Sequence, residues 1–338
     1  MNNIKKIQEK LIEKNLDAVL VTDEKNQRYA TGFPFTDGAV IVARSAAWLI
    51  TDSRYIEAAT NTAACCCNVQ MFDREHSRLS LIQAALKEAG VERLGAEEEK
   101  LSHAGYLGYE KALGMELLPA QAIFSELRAS KSEEEIGYLR EAQAISEKAL
   151  AEVLRIIKPG MTERQVAAEL VYHMLLNGSE GNSFDPIVIT GKKTSMPHGV
   201  PGDEVIHEGD FVTMDFGCLK HGYCSDMTRT VAIGYATDEM KNIYNIVLEA
   251  QLAGIAAARA GIPGYEIDAA ARNVITKAGY GQYFGHGFGH SLGIDIHEPP
   301  NAAPSNLNPM PEGAVTLRAV LVVKGSNGTA GNPGGSNI

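Results

Sequence analysis

Residues 211–231 contain two apolar runs separated by a polar turn, and each run carries one aspartate. This pattern predicts an antiparallel hairpin with its turn near residues 220–222. Centring the hairpin between Lys220 and His221 places Asp215 directly opposite Asp226. Opposed side chains in a hairpin lie about 4.5–5.5 Å apart at Cβ. Two carboxylates at that separation repel each other, so they need a shared proton or a shared cation.

A pair of bridging divalent metal ions meets this need and supports hydrolysis. Either aspartate taken alone is better explained as a turn residue, because Asp is common in turns. Histidines strengthen the metal interpretation, since His286, His290 and His297 fall within residues 285–298 and imidazole binds borderline ions. Spacing alone does not decide which of them is a ligand. His198 lies in a loop bounded by Pro and Gly, where it can line a cleft, although a single loop histidine is more often a surface residue.

The domain organisation follows from the order of helical and strand patterns. Residues 1–124 alternate the two patterns, which predicts a small α/β domain with a mixed sheet. A charged linker, residues 125–131, leads into a long helix that is predicted to begin at Ser132 with a capping box to Glu135. Two helices followed by strands then occur twice, which indicates an internal duplication near residue 236. The predicted fold class is therefore α+β, with a C-terminal domain over residues 132–324.

Composition excludes several kinds of partner. The 338 residues include 31 Lys and Arg against 42 Asp and Glu, for a net charge of −11. This acidic balance argues against nucleic acid or an anionic membrane as the main partner. No apolar run reaches the roughly 18 residues of a membrane span, and the first residues lack the pattern of a signal peptide. The five cysteines, three of them adjacent, do not form a disulfide framework, so we expect a cytoplasmic location.

Several motifs together resemble the pita-bread metallopeptidases, in particular the branch of aminopeptidase P and prolidase (Xaa-Pro dipeptidase). The matching stretches are MDFG and GYCSDMTRT in the hairpin, GHGFGHSLGIDIHE, the MPHG loop and the lead-in KSEEEI with LREA. They cover most of residues 126–316, and residues 1–124 are similar to the N-terminal domain of that branch. The resemblance implies a C-terminal pita-bread domain, which is a duplicated ααββ unit, behind a smaller α/β domain.

The resemblance also implies roles for individual residues. Asp215, Asp226 and His290 match ligands of two divalent metal ions (Mn²⁺, Co²⁺ or Zn²⁺), and Asp226 matches the ligand that contacts both ions. His297 matches the histidine that binds substrate and stabilises the tetrahedral intermediate. His198 matches a loop histidine near the N-terminal side of the substrate. The implied reaction is cleavage of the Xaa-Pro bond in proline-containing peptides by a metal-bridging hydroxide, and the implied assembly is a homodimer.

The C-terminal end departs from the family pattern. The family has two further glutamate ligands, and the position of the first is occupied here by Arg318. No Asp or Glu follows Glu312 in the last 26 residues. Residues 325–338 have the Gly, Asn and Ser composition of a disordered linker. We expect the second metal ion to bind poorly without these carboxylates.

Three interpretations follow from this departure. The first is an Xaa-Pro peptidase whose metal site is incomplete and whose activity is impaired. The second is a catalytically inactive pita-bread protein that binds a peptide or a protein partner. The third is a globular α/β protein in which the Asp and His residues are structural. The altered sequence from residue 317 onward is explained either by a real loss of the ligands or by a frameshift in the coding sequence.

Overall fold

The chain divides into two compact units, Met1–Arg128 and Ala129–Ile338. The computed structural model describes residues 2–314 of the chain. The finer domain limits that the sequence suggests, at residues 124, 131 and 324, stay predictions.

The first unit is built on a six-stranded mixed sheet with strand order β4-β3-β2-β1-β5-β6. β1 pairs with β2 and β2 with β3 in antiparallel fashion, and the other three pairs are parallel. β1 and β2 are buried at every position, as is typical of strands covered on both faces. The strands are β1 (Ala18–Val21), β2 (Ala39–Ala43), β3 (Ala47–Thr51), β4 (Asn68–Met71), β5 (Leu94–Ala96) and β6 (Leu117–Pro119). The helices are α1 (Ile4–Glu13), α2 (Glu24–Thr31), α3 (Ile56–Ala63), α4 (Arg78–Glu88), α5 (His103–Leu113) and α6 (Gln121–Ala129).

The second unit shows the expected order of two helices followed by strands, twice over. The helices are α7 (Glu133–Ile156), α8 (Glu163–Leu176), α9 (Asp238–Ala257) and α10 (Gly264–Lys277). The strands are β7 (Gly181–Asn182), β8 (Ile187–Thr190), β9 (Phe211–Phe216), β10 (Cys218–Lys220), β11 (Tyr223–Cys224), β12 (Met227–Ala232), β13 (Gly289–Ser291) and β14 (Glu298–Ala302). They form three small sheets, in the orders β11-β10-β7, β12-β9-β8 and β13-β14.

Two apolar clusters in the second unit hold its two helix pairs against these strands. In the first, Val166 of α8 packs with Met214 and Phe216 of β9. In the second, Ala271 of α10 packs with Phe288, just before β13. Each cluster leaves the opposite side of its strands available for polar residues, because strand side chains alternate between faces. Among residues 2–314, no helix has both the length and the apolar character required to traverse a lipid bilayer.

The capping box predicted at the start of α7 is confirmed. Ser132 accepts a hydrogen bond from the Glu135 amide, and the Glu135 side chain accepts one from the Ser132 amide. α8 begins in the same way with Thr162 and Gln165. Both pairs satisfy amides that a helix cannot pair internally in its first turn.

Replacing Ser132 with Ala removes one of the two hydrogen bonds of the capping box, the one that the Ser132 hydroxyl accepts. We expect Ser132→Ala to lower the free energy of unfolding by about 1 kcal/mol, because the Glu135 amide loses its acceptor. Chemical denaturation measures the change, with Ser305→Ala in an exposed loop as the control. Equal midpoints for the two variants would show that the cap contributes nothing.

Candidate active site

A cavity of about 400 Å³ lies in the second unit, between strands of the first repeat and the segment around β13. This volume is in the range of pockets that bind small molecules, about 300–1,000 Å³. One wall is apolar and includes Ile187, Ile189 and Phe288. The rest is polar, and its His and Asp residues are His198, Asp215, His286, His290 and His297. The cavity therefore combines an apolar surface with groups that bind metals or exchange protons.

The five residues singled out from the sequence lie at or beside this cavity. His198, Asp215, His290 and His297 line it. Asp226 lies beside the cavity, because its carboxylate Oδ2 is 3.5 Å from Nε2 of the lining residue His290. The rings of His290 and His297 lie side by side, with centroids 4.2 Å apart. Residues separated by up to 99 positions in the chain are thus brought into one site.

The predicted opposition of Asp215 and Asp226 is wrong. Asp215 pairs with Thr228 across the ladder, and the hairpin tip pairs Lys220 with Tyr223. The two turn residues are therefore 221 and 222, with φ angles of 51° and 72°. A two-residue turn of this type needs positive φ at both positions, which Gly at the second position permits. The resulting register differs from the predicted one by two residues, so the aspartates remain on one face as diagonal neighbours.

Sequence reasoning missed Thr228, which is the residue opposite Asp215 on the neighbouring strand. Its hydroxyl donates a hydrogen bond to Asp215 Oδ1 at 2.8 Å. Thr213, two residues before Asp215, also lines the cavity, whereas Met214 belongs to the core. The alternation of polar and apolar residues along β9 could have identified Thr213. Thr228 could be identified only with the correct register.

A buried carboxylate anchors the loop that carries His198. Glu163 is fully buried at the start of α8, and its Oε2 accepts hydrogen bonds from Lys193 Nζ at 2.5 Å and from the Gly202 amide at 2.9 Å. Burial acts to lower the pKa of Lys193, but its hydrogen bonds to Glu163 and Glu204 outweigh that effect and raise the pKa above its usual value. Lys193 therefore stays a cation at neutral pH and ties the two ends of the loop together.

The donor types at this site suit a divalent ion, but the arrangement of the described donors does not complete a metal site. Carboxylate oxygens and imidazole nitrogens are common ligands of Mn²⁺, Co²⁺ and Zn²⁺. Within residues 2–314, however, no group of three or more His, Cys, Asp or Glu side chains is arranged to hold a metal ion. The described residues thus supply part of a metal site and not a complete one. The departure predicted at Arg318 and the tail of residues 325–338 lie outside the described residues.

Comparison with known proteins shows the family. Residues 137–321 match the description "Metallopeptidase family M24", and residues 3–130 match "Creatinase/Prolidase N-terminal domain". An N-terminal domain of this kind followed by a metallopeptidase domain defines a class of two-domain metallopeptidases. The chain belongs to metallopeptidase family M24, since the match covers more than half of its length. Members of this family use divalent metal ions, and the expected pita-bread fold with a separate N-terminal domain is confirmed.

Individual relatives agree with this assignment over most of the chain. An uncharacterized peptidase of Bacillus subtilis is 41% identical over 84% of this chain and 80% of its own length. The structure of an Xaa-Pro dipeptidase from Bacillus anthracis superposes with a TM-score of 0.91 at 38% identity, covering 96% of this chain and 91% of that one. The structure of an X-Pro aminopeptidase from Thermotoga maritima gives a TM-score of 0.88 at 33% identity, covering 94% and 91%.

Proposed function

We propose that this chain is an exopeptidase that cleaves the bond between the first residue of a peptide and a proline in second position. The observation that carries the proposal is the single cavity in which His198, Asp215, His290 and His297 meet beside an apolar wall. A proline ring is a compact apolar group, and a wall of Ile187, Ile189 and Pro197 offers it an apolar surface. Relatives whose names specify Xaa-Pro substrates support the same substrate class.

In this proposal Asp215, Asp226 and His290 are the part of an incomplete metal site that the described residues supply, and Thr228 orients Asp215 through its 2.8 Å hydrogen bond. A divalent ion, when bound, would polarise the carbonyl group of the substrate and provide a hydroxide near neutral pH. His297, whose ring adjoins that of His290, donates a hydrogen bond to the substrate carbonyl oxygen. His198 contacts the N-terminal side of the peptide from its anchored loop.

We further propose that activity is impaired in this chain. The carboxylates and imidazole of residues 2–314 do not complete a metal site, and no acidic residue follows Glu312. The same observation favours the second candidate, a catalytically inactive member that binds proline-containing peptides or a protein partner. A homodimer and a cytoplasmic location stay predictions that accompany either candidate.

A peptidase assay separates the two candidates. The purified chain, with excess Mn²⁺ or Co²⁺, is given alanyl-proline, a longer alanyl-prolyl peptide and matched peptides with alanine in second position. We expect slow release of alanine from the proline peptides only, and loss of this release in Asp215→Asn, because that variant removes a charged ligand. Chromatography of the released amino acid measures the rate, and circular dichroism checks that the variant is folded.

Other outcomes decide between the candidates as clearly. Saturable binding of the proline peptides without release would support the inactive binding protein. Equal release from proline and alanine peptides would contradict the proposed specificity. Neither binding nor release would contradict both candidates.

A further inference from the structure

The segment 284–290, here called the Gly/His segment, forms one side of the cavity and has little regular structure. It contains three glycines and supplies His286, Phe288 and His290 to the cavity lining. Glycine loses more conformational freedom on ordering than any other residue. A glycine-rich segment can therefore present histidines in a fixed geometry only if other residues hold its backbone.

Two residues of α10 hold that backbone. Arg272 donates to Asp268 from Nε at 2.7 Å and from Nη2 at 3.0 Å, so the pair is joined by two parallel bonds. The same guanidinium donates to the carbonyl of Phe284 and to the carbonyl of His286, both at 2.7 Å. Asp268 Oδ1 accepts a hydrogen bond from the Phe288 amide at 2.8 Å. The Asp268–Arg272 clamp thus bonds to the backbone of every second residue from 284 to 288.

Ring contacts add to these bonds on both sides of the segment. The Arg272 guanidinium lies 4.3 Å above the centroid of the Phe284 ring, a cation–π contact. The Phe288 ring, fully buried, packs directly on Gly254 of α9, where a Cβ atom would come within 2.2 Å of it. The glycine permits this approach, and the ring fixes the segment between α9 and α10.

The clamp contacts the backbone of cavity-lining residues on the side away from the cavity. Asp268 and Arg272 are not among the residues that line the cavity, and they act on it through the backbone of the segment. His286 is one of the clamped residues and His290 lies two positions after the last of them. Both line the cavity, and His290 lies beside Asp226. A small displacement of the backbone would move both imidazoles, and misplacement of a reacting group by about 1 Å can cost about 100-fold in rate.

We propose that Asp268 and Arg272 are positioning residues, which order the Gly/His segment and thereby fix the positions of His286 and His290 in the cavity. This inference rests on the proposed peptidase function of the cavity. Arginine is required because its planar fork bonds a carboxylate and two carbonyl oxygens at once. Lysine carries the same charge but cannot reproduce that geometry.

The test compares Arg272→Lys with a matched variant, Arg155→Lys. Arg155 is also paired with an acid on its own helix, Glu152, but both side chains are exposed and it bonds no distant backbone group in the structure described. We expect Arg272→Lys to speed amide exchange in peptides covering residues 284–290 by about tenfold or more. We also expect kcat for the proline peptides to fall about tenfold or more while KM changes less than about threefold. Arg155→Lys should change neither quantity.

Other results for amide exchange and kcat would overturn specific parts of the proposal. Unchanged exchange in residues 284–290 would overturn the clamp, and faster exchange with unchanged kcat would overturn its positioning role. If Arg272→Lys lowers global stability, Asp268→Asn carries the same comparison, because it retains an oxygen for the Phe288 amide. A wild-type chain that neither binds nor cleaves the peptides would contradict the proposed function, while the exchange comparison would still decide whether the clamp orders the segment.

Discussion

Replacing residues 317–338 with the glutamate-containing tail of a complete relative is expected to raise the rate of Xaa-Pro cleavage by about 100-fold or more. Residues 2–314 provide no complete metal site, and the residues after Glu312 contain no carboxylate side chain. Even the loss of a group that only orients a metal ligand costs about 10–100-fold in metal affinity or activity. The proposed lack of two ligands should therefore have at least the larger effect.

The control for this experiment is the same tail with its two ligand glutamates changed to glutamine. It matches the first chimera in length and packing and lacks only the two charges. We expect about two divalent ions per chain in the first chimera and fewer in the glutamine control, measured by elemental analysis after dialysis. Equal rates in the natural chain and both chimeras would show that the glutamates do not limit activity.

Lys131→Met is expected to lower the free energy of unfolding by about 3–5 kcal/mol, because it removes a buried cation that is paired with a buried carboxylate. Lys131 Nζ lies 3.1 Å from Glu298 Oε2, and the two side chains are only 1% and 4% exposed. Glu298 directly follows His297, so the pair also fixes the strand that presents this histidine to the cavity. Methionine retains the length of the side chain, which isolates the loss of charge from a loss of volume.

Two further variants test this explanation by chemical denaturation. Adding Glu298→Gln to Lys131→Met should recover part of the lost stability, since the buried negative charge that Lys131 balanced is then removed as well. Lys241→Met breaks the pair with Asp238, whose side chains are 60% and 102% exposed, and should change stability by less than about 1 kcal/mol. A similar loss in Lys131→Met and Lys241→Met would contradict the role assigned to burial.

Most elements of the N-terminal unit and the helices of the second unit could be predicted from local signals. Apolar runs locate strands such as β1 and β9, and the Ser132–Glu135 pair marks the start of α7. These signals are local, because a cap or an alternating run depends on residues within a few positions. The family resemblance rests on motifs of the same kind, and it was the source of the roles predicted for His198 and His297. Residue periodicity alone identified only a pair of aspartates and a group of histidines.

The sequence by itself determined the fold class, the family and the Asp and His residues that meet in the cavity. Only the tertiary structure decided how those residues are held. The register that pairs Asp215 with Thr228 depends on the backbone angles of a two-residue turn. The Glu163–Lys193 anchor and the Asp268–Arg272 clamp join side chains to backbone groups that lie on other elements. Such contacts depend on the distance between elements after folding, which no pattern of neighbouring residues specifies.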